Sequence, residues 1–386
     1  MPNKSVRLAL LILGFVSALA CAEEVPVRAD LNESVVMLPV PATIGSVDLQ
    51  TTIYRPDGDG PFPLVIINHG KSLGGGQWQE RERYPLMAEE FLARGYVVAL
   101  PMRRGFAGSG GRQADTGCSF AANGWAQARD IAGVIGWFKQ QPWIDGNRIL
   151  VIGQSHGGMT ALALASQNVP GVRAVLNFAG GLRGSGADQC HSETGVASAY
   201  ADYGATAKVD TLWFYGQNDS LFPPELAKTF YQRYTAAGGK AELVAYDAFR
   251  QDAHGMFGTQ EGFDKIWWPK AEPFLAAHGL PVAVIQPNRY HEPATPAASG
   301  YAAADDLTRL PTPLHEGCKA LYERTFMHAP DPKAFAISAD GACGGGVDYG
   351  DDAQVALRAC RTYAAKKDSC QLYLVNDSVV WPKPAS

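Results

Sequence analysis

At 386 residues the chain has room for two or three domains and a sizeable core. A composition of 46% hydrophobic and 18% charged residues describes a globular protein, not a disordered, collagenous or low-complexity one. The formal net charge is −5, with 33 basic and 38 acidic residues interspersed, so no basic stripe is available to neutralise a phosphate backbone and nucleic acid is not an expected partner.

Lys4 and Arg7 precede an uncharged run, Leu8–Ala20, that ends in the small residues Ala18, Ala20 and Ala22. This order is that of a secretory signal peptide over residues 1–22, cleaved after Ala20 or Ala22. A lipoprotein anchor through Cys21 is the weaker alternative, because Leu19 sits one place too close to the cysteine. The apolar run is shorter than the roughly 20 residues a membrane span needs, so no transmembrane segment is expected after cleavage, and loss of Lys4 and Arg7 takes the net charge from −5 to −7.

From about Ser46 to Leu280 the chain alternates short β-branched runs with amphipathic stretches, the pattern of βα units around a mostly parallel sheet. Val35–Leu38 and Val47–Tyr54 form an antiparallel entry. Buried strands are expected at Leu64–Asn68, Tyr96–Pro101, Arg148–Gly153, Ala174–Phe178, Thr211–Tyr215 and Ala241–Tyr246. Helices fall between them at Tyr84–Arg94, Trp125–Gln141, Met159–Gln167 and Pro224–Ala237. The catalytic domain is expected over residues 23–285. A Pro/Ala-rich linker follows over 286–310, then a small α+β unit over 311–386. That unit has helices at Glu316–Thr325 and Asp352–Ala365 and strands at Ala334–Ser338 and Leu372–Val375.

Six cysteines lie beyond the signal: Cys118, Cys190, Cys318, Cys343, Cys360 and Cys370. An even count in an exported chain favours disulfides, and no pair has C-x-x-C spacing, so neither a metal site nor a redox motif is expected. Cys118 and Cys190 form one expected pair. The four in the last 76 residues form two more, with their connectivity open.

Gly153-Gln154-Ser155-His156-Gly157 has the G-x-S-x-G form of a nucleophile elbow, with the strand Ile149–Ile152 before it and a helix-forming run directly after. Gly70-Lys71-Ser72-Leu73-Gly74 satisfies the same pattern but is followed by glycines, and Val65 stands where a phosphate-binding loop needs glycine. That loop suits an oxyanion hole instead, with the backbone N–H groups of Lys71 and His156 as donors and His69 as a structural residue. A serine hydroxyl needs a base, and the base needs an orienting carboxylate. In the fold built around such an elbow the chain order is Ser, acid, His. Asp219, after the strand Thr211–Tyr215, fits the acid. His254, in the loop after the last core strand, fits the base. His156, His191 and His278 are less well placed, and Asp247 and Asp252 are the rival acids. Trp78, Phe106, Trp125 and Phe222 are candidates for an acyl pocket.

Residues 46–280 resemble an α/β-hydrolase of the dienelactone hydrolase and prolyl-oligopeptidase-like group. The resemblance rests on Ile66–Gly70, Arg103–Gly110, Gly153–Gly158, Tyr215–Pro224 and Ala253–Gly255. Dienelactone hydrolases proper carry cysteine where Ser155 stands, and no propeller repeat precedes the domain as in prolyl-oligopeptidase relatives. The expectation is a secreted or periplasmic serine hydrolase that cleaves a small-molecule carboxylic ester without metal or organic cofactor. The alternatives are an exported serine aminopeptidase or acyl-peptidase, and a cell-envelope binding protein with accessory hydrolase activity whose C-terminal domain holds the ligand.

Overall fold

The computed structural model describes residues 27–71, 76, 79–183, 190–287, 289–290, 296–324, 326–329, 332–347 and 352–382. The expected signal peptide, Ser72 and Trp78 lie outside them. In chain order the first unit contains β1 (Glu33–Pro41), β2 (Ser46–Tyr54), β3 (Phe62–Asn68), α1 (Pro85–Ala93), β4 (Val97–Pro101), α2 (Phe120–Phe138), β5 (Ile144–Gln154) and α3 (His156–Ala165). It continues with β6 (Val172–Phe178), α4 (Ser192–Gly204), β7 (Thr211–Gly216), α5 (Pro224–Ala236), β8 (Ala241–Tyr246) and α6 (Trp268–Ala277).

These strands form one sheet in the order β1-β2-β4-β3-β5-β6-β7-β8, antiparallel as far as β4 and parallel from β4 onward. Apolar side chains alternate across it. Leu64, Ile66, Ile149 and Val151 enter a core under α2–α5, whereas Val65, Ile67, Leu150 and Ile152 enter a second core under α1 and α6. Burial on both faces explains why the central strands read as unbroken apolar runs. β8 departs from the expectation of a buried strand: it is the sheet edge, and none of its residues is fully buried. Strand order reverses around β3, which lies between β4 and β5, and crevices form beyond the strand ends at such a reversal.

The second unit contains α7 (Glu316–Arg324), β9 (Lys333–Ile337), β10 (Cys343–Val347), α8 (Asp352–Tyr363), β11 (Gln371–Val375) and β12 (Ser378–Val379). Its strands form an antiparallel sheet in the order β10-β9-β11-β12. Disulfides join Cys118 to Cys190, Cys318 to Cys343 and Cys360 to Cys370. In the stretch read as a linker, Tyr290 is buried and its hydroxyl accepts from the Asp57 N–H at 2.8 Å. Farther along, the Ala304 carbonyl accepts from the Tyr322 hydroxyl at 2.6 Å. Among the described residues, no helix is long and apolar enough to cross a membrane.

Candidate active site

β5 ends at Gln154 and α3 starts at His156, which leaves Ser155 on the turn between them at φ 56° and ψ −123°. A residue with a side chain adopts such a conformation only where its surroundings over-determine it. Here the Ser155 N–H donates to the Phe178 carbonyl at 2.9 Å, and its own carbonyl accepts from Gly158 at 2.9 Å and Gly181 at 3.0 Å. A Cβ at Gly153 would fall on the Gly157 carbonyl, and one at Gly157 on that of Asn68, so this turn closes only with glycine at both places.

Asp219 follows β7, and its carboxylate is fully buried. Oδ1 accepts the N–H groups of Leu221 at 2.9 Å and Phe222 at 2.8 Å, which fixes the carboxylate plane. His254 Nδ1 lies 3.2 Å from Oδ1 and 3.1 Å from Oδ2. A carboxylate only accepts, so Nδ1 carries the proton and Nε2 is left as a proton acceptor. The His254 ring packs against Phe222, with centroids 5.7 Å apart. Gln154, beside Ser155, donates through Nε2 to the His254 backbone carbonyl at 3.0 Å and so ties the base loop to the elbow.

Asp252, a rival acid, turns to the backbone. It accepts from the His254 N–H at 2.9 Å and from Ser220 N–H and Oγ at 3.1 and 2.6 Å. Burial pushes its carboxyl up, but these hydrogen bonds outweigh it and hold the group below its usual range. The other rival, Asp247, is exposed. His191 sits exposed at the start of α4, and His278 bonds Asp210 at 3.0 Å.

Lys71 follows β3, the strand beside β5, so its N–H and that of His156 belong to neighbouring strand ends. The peptide between Gly70 and Lys71 is braced from behind. Arg103, buried, donates to the carbonyls of His69 at 2.9 Å and Gly70 at 2.8 Å, and Gln79 Nε2 reaches the Gly70 carbonyl at 3.1 Å. His69 Nε2 accepts the Arg103 N–H at 3.1 Å, so its Nδ1 bears the proton and donates to the Gly70 carbonyl at 2.6 Å. In a trans peptide C=O and N–H point in opposite directions, so three donors on the Gly70 oxygen turn the Lys71 N–H away from them. Burial, with the Arg103 charge alongside, pushes both His69 and His156 well below the usual imidazole range. Arg103, Gln79 and Gln154 were not singled out as functional from sequence. Arg103 and Gln154 lie within quoted motifs, but nothing there marks their side chains.

A cleft of about 540 Å³ reaches the site through Lys71 and His156, with Phe106, Ala114, Asn123 and Leu182 among its other walls; Ser155, Asp219 and His254 themselves do not line it. A hollow of about 560 Å³ lined by Asn168, Gly171 and Asp210 lies at the opposite, N-terminal ends of β6 and β7 and is remote from Ser155. Of the expected pocket aromatics, Phe106 lines the cleft and Phe222 contacts His254. Trp125 departs from the expectation: its indole N–H donates to Ser166 Oγ at 3.0 Å and its ring packs on Tyr203, within the core.

Residues 45–218, just under half of the chain, match the family model for X-Pro dipeptidyl-peptidases of the S15 family. Cocaine esterase of Rhodococcus sp. is 30% identical over 130 residues, 33% of this chain and 21% of that protein. Dipeptidyl-peptidase 5 of Porphyromonas gingivalis is 31% identical over 142 residues, 36% of this chain and 20% of that protein. The matched stretch is thus about a fifth of either relative. A solved esterase of Pyrococcus furiosus superposes with a TM-score of 0.47 at 19% identity, covering 65% of this chain and 92% of the esterase.

Proposed function

We propose, from the premise that this chain is a serine hydrolase of the α/β-hydrolase superfamily, that it is exported and cleaves carboxylic esters through Ser155, His254 and Asp219. The observation that carries the reading is the buried Asp219 carboxylate on His254 Nδ1, tied through Gln154 to the strained turn of Ser155. In the proposed cycle His254 Nε2 takes the Ser155 proton as Oγ attacks the ester carbonyl. The oxyanion is met by the N–H groups of Lys71 and His156. His254 then protonates the leaving alcohol, and a water activated by the same nitrogen releases the acid.

The S15 match and the Porphyromonas relative favour a second reading, an exported peptidase. A peptidase that reads a free α-ammonium needs carboxylates to receive it. Among the described residues lining the cleft at Lys71 and His156, the one carboxylate, Asp130, is already held by Arg104 Nε at 2.8 and 2.7 Å. That arrangement favours the ester reading.

A panel of p-nitrophenyl esters and aminoacyl nitroanilides tests it. Ester turnover lost in Ser155→Ala is expected; nitroanilide turnover without ester turnover would move the assignment to a peptidase. Export is tested by intact mass, with Cys21 or Glu23 expected at the N-terminus and a retained Met1 overturning it.

A further inference from the structure

The chain as a whole is acidic, with a net charge of −5. The cleft at Lys71 and His156 is the reverse: among the described residues Lys71, Arg103, Arg104, Arg112 and Arg129 line it against the single carboxylate of Asp130. Arg104 and Asp130 satisfy each other, and Arg104 also donates to the Pro41 carbonyl at 2.6 Å. Arg103 is committed to the carbonyls of His69 and Gly70. Lys71, Arg112 and Arg129 are exposed and face the same cleft. Among the described residues that line it, no acidic side chain is left to neutralise these three charges.

His156 belongs to a buried polar cluster in the same wall: its Nε2 lies 2.8 Å from both Gln127 Nε2 and Asn123 Oδ1, and Gln127 Nε2 lies 2.6 Å from Asn123 Oδ1.

Resting on the ester reading, we infer that the substrate is an ester carrying a second, anionic group, a carboxylate foremost, held in this cleft by Arg112, Arg129 and Lys71. Guanidinium groups pair with a carboxylate in a planar, two-point fashion, and the cleft potential draws an anion toward a protein whose net charge repels it. Phe106 and Leu182 in the same lining supply apolar surface for the chain that joins the anion to the ester.

The test compares two esters of the same length that differ only in charge, monomethyl adipate and methyl 5-carbamoylpentanoate, alongside calorimetric binding of adipate to the full chain. The expected result is that kcat/KM favours the carboxylate ester at least tenfold, mostly through KM, and that raising salt erodes the preference. Arg112→Gln and Arg129→Gln should each cut the ratio of the two kcat/KM values by about tenfold, the scale of one lost charge-assisted contact. Adipate binding should weaken in the same variants. Equal turnover of both esters, with no adipate binding, would overturn the anionic substrate and leave the ester reading standing. If neither ester is cleaved but adipate binds in an Arg112- and Arg129-dependent manner, the ester reading falls and the anion site stands. If neither is cleaved and adipate does not bind, both fall.

Discussion

In the first unit both faces of an eight-stranded sheet are covered by long aliphatic and aromatic side chains, from Leu64 and Ile131 on one side to Ile67 and Trp267 on the other. In the second, the two faces of β9 differ. Phe335 and Ile337 pack with Tyr322, Phe326 and Tyr373, whereas Ala334 and Ala336 meet Ala356 and Cys360 of α8. An alanine face removes little apolar area from water, and on that face α8 is joined to the start of β11 by Cys360–Cys370. The other face carries Cys318–Cys343 between α7 and β10. The first unit, with far more buried surface, has a single bridge, between the approaches to α2 and α4. Stability in the larger unit comes from burial, and in the smaller one it is divided between burial and covalent links.

The largest expected effect confines chemistry to the first unit. Ser155→Ala and His254→Ala should each lower kcat for an ester by about 10⁴ or more, with the double variant hardly worse, because such residues act as a unit. Asp219→Asn should cost somewhat less. A fluorophosphonate should label Ser155 alone, and label found elsewhere would break the assignment.

Next comes reduction. Each bridge is expected to contribute about 2–4 kcal/mol, so a reducing agent should open residues 311–386 to protease while ester turnover persists within severalfold. Loss of turnover before the tail is cut would mean that the two units are not independent in this way.

A smaller effect sharpens the account of the alanine face. A Cβ at Gly344 would meet the Ala356 carbonyl and the Cys360 N–H, whereas one at Gly345 finds Phe326 and Phe335 at 3.5 and 3.7 Å, ordinary contact. Gly344→Ala should therefore destabilise the tail by about 1–3 kcal/mol through overpacking, and Gly345→Ala should leave its melting close to that of the parent. Equal effects would show that α8 does not lie so close on the sheet.

The smallest concerns acid. In the unfolded chain His69 and His156 take up protons as the pH falls through about 6.5. In the folded unit burial keeps both neutral well below that point. Their stabilising effect is thus complete above about pH 7 and is lost progressively as the pH falls below about 6.5, where only the unfolded chain takes up the protons. Urea midpoints of the first unit at pH 7.5 and 5.5 measure this, and a flat profile would contradict it.

Most of the parallel strands were legible because burial on both faces leaves an unmistakable apolar run, and the elbow because its glycines serve one geometry. α4 was not expected: Ser192–Gly204 is built from small residues and tyrosines with a weak period, and its burial of Tyr200 and Tyr203 comes from packing on α2 and α5. β10 was missed for a different reason. Cys343-Gly344-Gly345-Gly346 reads as a loop, and only the close approach of α8 makes glycine the residue a strand needs there. At the site, Ser155, Asp219 and His254 each follow a recognisable strand. The bracing of Gly70 by Arg103 and Gln79, and of His254 by Gln154, joins residues distant in sequence, which periodicity does not report.

The bracing of Gly70 bears on how such an enzyme can change. The direction of the Lys71 N–H is set by the buried donors Arg103, His69 and Gln79, and not by the exposed side chains of Arg112 and Arg129. Arg112 and Arg129 can therefore be exchanged without disturbing that alignment, and a descendant could acquire a new substrate range while inheriting its chemistry intact.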